Sequence, residues 1–98
     1  MIDGDTFDLD GMRIRVAGID APETHPSRCP QEAALGAAAT QKLAELLRGR
    51  PLWISGTIID RWGRSVRTVR VGGEDVADAM IGSGLARNYD GKQRQSWC

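Results

Sequence analysis

The chain has 98 residues, 13 acidic and 13 basic side chains, a formal net charge of zero, and 41% hydrophobic against 27% charged residues. That length suits one small domain with a single core and little stability to spare. No apolar run approaches the ~18 residues of a membrane span, and zero net charge argues against the tight, salt-sensitive grip on long nucleic acid that basic proteins show.

The charge is unevenly spread. Residues 1–32 hold seven acids and three bases, whereas 33–98 hold ten bases and six acids. Eleven of the thirteen bases are arginine, a residue whose planar fork matches phosphate oxygens, although a high-GC genome accounts for such a bias equally well.

In chain order, Thr6-Phe7-Asp8-Leu9 alternates polar and apolar, Asp10-Gly11 is a strong hairpin turn, and Met12-Arg13-Ile14-Arg15-Val16 resumes the alternation. This predicts a hairpin with Met12, Ile14 and Val16 on the core face and Arg13 and Arg15 on the other. Gly18 breaks the period, and a bulge there returns Ile19 to the core and aims Asp20 at a metal. Pro22 stiffens the loop that carries Asp20 and Glu23, and His25, in the stretch before Pro30, reads as an exposed loop histidine.

From Gln31 to Arg48, Leu35, Ala39, Leu43, Leu46 and Leu47 follow helical spacing, and Gly49 stops the helix. Leu52 to Ile59 reads as a strand interrupted at Ser55-Gly56, Asp60-Arg61-Trp62-Gly63 as a turn, and Arg64 to Val71 as the next strand, closed by Gly72-Gly73. Along that strand Arg64 and Arg70 share one face and Arg67 takes the other; Arg61, Arg67 and Arg70 read as a solvated surface. A second short helix spans Glu74 to Ser83 and buries Val76, Ala79 and Met80, after which Leu85 to Tyr89 is extended. The tail is polar apart from Trp97. Short strands, a helix between the third and fourth, and a hairpin after it imply a mainly β protein with helices (α+β): a five-stranded Greek-key barrel of the OB type with one long and one short helix.

Three carboxylates, Asp5, Asp20 and Glu23, and one guanidinium, Arg15, fall where strands end. Two carboxylates, a backbone carbonyl and waters suit Ca²⁺, a cation that takes several oxygen ligands at relaxed geometry. An arginine beside them points to a shared phosphate, and the combination reads as phosphodiester chemistry. Taken singly, each residue has a plainer role: Asp5 shapes a turn, Asp20 caps a loop, Arg15 pairs with Glu23 at the surface.

At Asp3-Gly4-Asp5-Thr6, at Arg15 through Asp20, Pro22 and Glu23, and at Asp60-Arg61-Trp62-Gly63-Arg64 the chain resembles the staphylococcal nuclease (thermonuclease) family, whose motifs occur here in the same order. The resemblance continues through Val76-Ala77-Asp78-Ala79-Met80 and Gly84-Leu85-Ala86 and implies the same OB-type barrel. It further implies a Ca²⁺-dependent nuclease acting on single-stranded or locally melted DNA or RNA to leave 3′-phosphate products. By the same resemblance Asp5, Asp20 and the Ala21 carbonyl hold the metal, Arg15, Glu23 and Arg64 are catalytic, and Arg61, Trp62 and Tyr89 bind substrate. Where relatives often carry Lys and Tyr before the Gly-Arg turn, this chain has Arg61 and Trp62, which still offer a phosphate contact and a stacking face.

Relatives usually run a full strand before the first motif and a third helix after the last. Here 1–98 reads as a single domain of this type with both shortened, and completion by another chain through a strand-swapped dimer is an alternative. Cys29 and Cys98 form one disulfide if the compartment is oxidising, or are two unrelated thiols. Short relatives that share a Cys after the Pro-Glu loop and a terminal Trp-Cys favour pairing, and with it a secreted or periplasmic location, although Met1-Ile2-Asp3 shows no leader. The competing readings are a non-catalytic OB module that binds nucleic acid or a peptide, which typically lacks the carboxylates or arginines present here, and an inactive structural fragment.

Overall fold

The computed structural model describes residues 3–9, 11–23, 27–48, 51–59, 65–89 and 95–98. The predicted hairpin forms from β1 (Thr6–Leu9) and β2 (Met12–Val16), antiparallel, with Phe7 opposite Ile14 and Thr6 opposite Arg15. Phe7, Ile14 and Val16 are buried. Met12, expected on the core face, is 48% exposed: it stands opposite Leu9 at the turn end of the hairpin, where Leu9 still packs on the margin of the core and Met12 does not.

After Val16 the chain turns at Ala17-Gly18, with Gly18 at φ 83°, a conformation that glycine alone adopts without strain. The turn separates β2 from β3 (Ile19–Asp20), returning Ile19 to the core and burying Asp20. The expected bulge is thus a full change of sheet, because β3 pairs with β7 (Arg87–Asn88) near the C-terminus, placing Asp20 opposite Arg87.

Helix α1 runs Pro30–Leu47, one residue earlier at each end than its spacing predicts. Cys29 caps it, Sγ accepting from the Glu32 N–H at 3.3 Å, and Pro30 supplies a preset φ at the first helical position. Buried Glu32 reaches back to accept the Arg28 N–H at 2.6 Å, one residue before the Cys29 N-cap whose N–H a capping-box glutamate takes. Ala39, Leu43 and Leu46 enter the core as their spacing requires, while Leu35 and Leu47 are half-buried. Gly49, expected to stop the helix, lies outside the described residues.

Strands β4 (Leu52–Ile59) and β5 (Ser65–Val71) pair antiparallel, and the interruption read at Ser55-Gly56 is a register shift between Ser55 and Ile58. On β5, Ser65, Val69 and Val71 are buried. Arg67 belongs to that same row, half-buried and donating from Nε to Ser65 Oγ, so it is not part of a solvated face as expected, whereas Arg70 is exposed. Glu74 and Asp75, expected to open the second helix, instead form β6 (Glu74–Asp75) against β5, and α2 starts at Val76 and ends at Gly82. Asp75 caps α2 by accepting the Asp78 N–H, and Val76 and Met80 are buried while Ala79 is half-buried.

The architecture is α+β with one long and one short helix. A five-stranded sheet runs β1-β2-β5-β4 with β6 attached to β5, β2 and β5 being parallel. Among the described residues it does not close into the expected barrel; β3 and β7 form a separate ribbon beside it. One apolar cluster, from Phe7 through Val16, Ile19, Leu43, Val69, Val71, Val76 and Met80, joins both sheets and both helices. No helix among the described residues is long and apolar enough to cross a membrane.

Candidate active site

Asp5 stands at the entry to β1 and is 7% exposed. Thr6 Oγ1 donates to its Oδ1 at 2.9 Å and the Ala21 N–H donates to its Oδ2 at 3.1 Å. Its own carbonyl accepts the Val16 N–H at 2.8 Å, which ties the loop before β1 to the end of β2. Because β3 follows β2 after a single turn, Ala21 and the preceding Asp20 are delivered to the same place. The bond from Ala21 to Asp5 spans sixteen positions of sequence and brings the backbone that follows Asp20 against the Asp5 carboxylate.

Gly4 makes that placement possible. A β-carbon there would lie 2.5 Å from the Ala39 β-carbon of α1 and 3.0 Å from that of Ala21. Only a residue without a side chain lets the loop carrying Asp5 press this close to the helix.

Arg15 projects from β2 toward Asp5, Nη2 lying 3.6 Å from Oδ2 with both side chains largely buried. That is longer than the 2.7–2.9 Å of a charge-assisted hydrogen bond, so the contact is electrostatic and not a bidentate lock. Nη1 donates to the Val16 carbonyl at 3.0 Å, and the guanidinium carbon is 5.8 Å from the centroid of the Tyr89 ring. Tyr89 is held there by its own N–H, which donates to the Gly18 carbonyl at 2.8 Å.

Asp20 is 3% exposed, and Trp97 Nε1 donates to its Oδ2 at 3.3 Å. The Arg87 guanidinium lies 3.7 Å over the centroid of the Trp97 ring, and its Nη1 donates to the Ser96 carbonyl at 2.8 Å. Cys98 is disulfide-bonded to Cys29, 69 positions away, with 6.0 Å between the α-carbons. Tail, α1 and β3 are thereby fastened together around Asp20.

The fold thus brings Asp5, Arg15 and the Ala21 backbone together, with Tyr89 alongside Arg15 and Asp20 next to Ala21 in the chain. Glu23 is half-buried two residues beyond Ala21. Arg61, Trp62 and Arg64 lie outside the described residues, as does His25. Sequence reading missed two contributors, the Trp97 indole on Asp20 and the packing of Gly4 on Ala39. The adjacency of Trp97 to a bridging cysteine was the available signal for the first; nothing local announces the second.

Burying carboxylates is costly unless the lost hydration is replaced. Thr6, Ala21 and Arg15 replace it for Asp5, and Trp97 does so in part for Asp20. Carboxylate and carbonyl oxygens are hard donors suited to Ca²⁺ or Mg²⁺, not to metals that prefer thiolate or imidazole. Among the described residues no three His, Cys, Asp or Glu side chains gather into a metal cage. The Asp5 and Asp20 carboxylates and the Ala21 carbonyl are donors of the hard-oxygen kind that such a cation takes.

Comparison with known proteins identifies the family. A family model described as "Staphylococcal nuclease homologue" matches residues 13–97. A probable endonuclease LCL3 from Nakaseomyces delphensis is 34% identical over 88 residues, covering 86% of this chain and 34% of that protein. The staphylococcal-like nuclease CAN1 of Arabidopsis thaliana is 35% identical over 77 residues, 79% of this chain and 22% of its own length. A micrococcal nuclease from Shigella flexneri is 34% identical over 73 residues, 70% of this chain and 38% of its own. The chain spans between about a fifth and two-fifths of the length of these relatives.

Proposed function

Because the chain belongs to the staphylococcal nuclease homologues, we propose that it hydrolyses phosphodiester bonds of DNA or RNA with the help of Ca²⁺. The observation that carries this reading is the buried convergence of Asp5 and Arg15 with the Asp20-Ala21 segment, reached from opposite sides of a hairpin and a sheet change.

In this proposal Asp5, Asp20 and the Ala21 carbonyl hold the ion, for which their hard oxygens are suited. When bound, calcium neutralises charge on the phosphate and lowers the barrier to attack by water. Arg15 binds a phosphate oxygen through its planar fork, and its loose 3.6 Å contact with Asp5 leaves it ready to turn toward substrate. Arg64, the residue before β5 in sequence, grips the same phosphate. As charge grows on the equatorial oxygens, the two guanidinium groups stabilise it where it develops. Glu23 orients the attacking water and accepts its proton as the water oxygen bonds to phosphorus; the bond from phosphorus to the 5′-oxygen breaks, and that oxygen takes a proton from solvent and leaves as a 5′-hydroxyl, with the phosphate kept on the 3′-oxygen. Tyr89 and Trp62 offer faces on which a base of a single-stranded or melted substrate stacks, with Arg61 beside the backbone. A disulfide as long-ranged as Cys29 to Cys98 supports residence in an oxidising compartment, secreted or periplasmic.

Incubation with supercoiled plasmid and with single-stranded RNA tests this reading, in Ca²⁺ and in EGTA. Cleavage that requires Ca²⁺ and is lost in Asp20→Ala is the expected result. Nucleic acid that is bound but never cut, in either ion condition, overturns it in favour of a binding module.

A further inference from the structure

The Trp97 indole presents its N–H to a buried acidic residue 77 positions earlier in the chain. A buried tryptophan needs a partner for that donor, and here the partner is the carboxylate on which the proposed calcium site depends. We propose that Trp97 is a positioning residue for Asp20: its hydrogen bond to Oδ2 sets the orientation of the carboxylate for calcium, and the Cys29 to Cys98 bridge and Arg87 hold the indole in place. The inference rests on the calcium-dependent reading above and adds a function for the C-terminal tail.

An aspartate carboxyl group turns about a broad, roughly two-fold torsion, so burial alone leaves its oxygens interchangeable. One donor fixed on one oxygen ends that equivalence. Indole is suited to this because it donates only and cannot offer a competing lone pair to the cation. Outer hydrogen bonds of this kind orient ligating carboxylates, and removing one typically weakens metal binding about 10- to 100-fold.

The indole is itself held from three sides. Arg87, directly opposite Asp20 in the β3 and β7 pairing, stacks over its ring at 3.7 Å, so one strand pair supplies both the acid and the clamp. The same guanidinium ties down the preceding residue through the Ser96 carbonyl at 2.8 Å. The following residue, Cys98, is bonded to Cys29, the N-cap of α1, the helix on which Gly4 and the loop of Asp5 also rest. Both acids of the site are thus referenced to one rigid element.

The test uses Trp97→Phe, which keeps a ring beneath Arg87 and removes only the N–H. Titration with calcium alone by isothermal calorimetry should show affinity about 10- to 100-fold weaker than wild type, and the calcium concentration for half-maximal cleavage should rise by the same factor. Unchanged calcium affinity in a folded Trp97→Phe overturns the proposal, even if its melting temperature falls, because packing alone would account for that fall. If the variant does not fold, wild-type protein labelled with 5-fluorotryptophan carries the test, its resonances assigned through Trp53→Phe and Trp62→Phe. The Trp97 fluorine signal should then move in step with calcium saturation, and a stationary signal sinks the idea. Wild-type protein that neither binds calcium nor cuts nucleic acid removes the functional reading itself, an outcome distinct from a wild type that does both while Trp97→Phe binds calcium equally well.

Discussion

Gly4 and Ala39 approach so closely that one added methyl group on Gly4 would stand 2.5 Å from the Ala39 β-carbon. A contact between a loop and a helix 35 positions later in the chain therefore decides where Asp5 is held.

Substituting Gly4→Ala should push the Asp5 loop off α1. Overpacking of this kind costs about 1–3 kcal/mol, a large share of the stability of so small a protein. Urea unfolding should show that loss, and cleavage should fall further than stability does, since the displaced residue neighbours Asp5. A variant as stable as wild type would mean that the loop and helix do not meet as described.

Arg15→Lys keeps the positive charge 3.6 Å from Asp5 but discards the planar fork. Stability should change little. Removing a donor to a developing oxyanion typically lowers turnover about 100-fold or more, and kcat/KM measured on a short oligonucleotide should drop on that scale. Near-normal activity in the lysine variant would show that Arg15 acts only as a charge.

The bridge from Cys29 to Cys98 closes a loop of 69 positions, for which the chain-entropy model gives about 4 kcal/mol of stabilisation. Replacing both cysteines by serine should lower the urea midpoint accordingly. Serine is itself a favourable N-cap, so α1 should keep its start and the loss should reflect the cross-link alone. Equal stability of the serine variant and the oxidised protein would exclude a structural role for the bridge.

Met12, 48% exposed at the turn end of the hairpin, should accept serine with a change within about 0.5 kcal/mol. Its neighbour in the alternation, Ile14, is buried and should not: Ile14→Ala is expected to cost about 2–5 kcal/mol in the same unfolding assay. Similar losses at both positions would restore Met12 to the core.

Much of this protein is legible along the chain, because its signals lie within a few residues of one another. Alternation marks β1, β2 and β5, the 3.6-residue period marks α1, and the interruption at Ser55-Gly56 marks the register shift in β4. The motif residues Asp5, Arg15, Asp20 and Glu23 are readable for the same reason. The alternation at Met12 misleads because period records which side a residue faces, not whether anything packs there. Glu74 and Asp75 mislead because acidic residues suit a helix start, yet the edge of β5 offered them strand partners instead.

What the order of residues determined by itself is the set of local elements and the acidic and basic groups with which a phosphate and a metal could be held. Tertiary structure alone decided that β3 abandons the main sheet for β7, that Gly4 rests on Ala39, and that Trp97 reaches Asp20 across 77 positions. These contacts join residues with no shared period and no common turn. They arise only when the core closes, and close packing then leaves each of them one place to be.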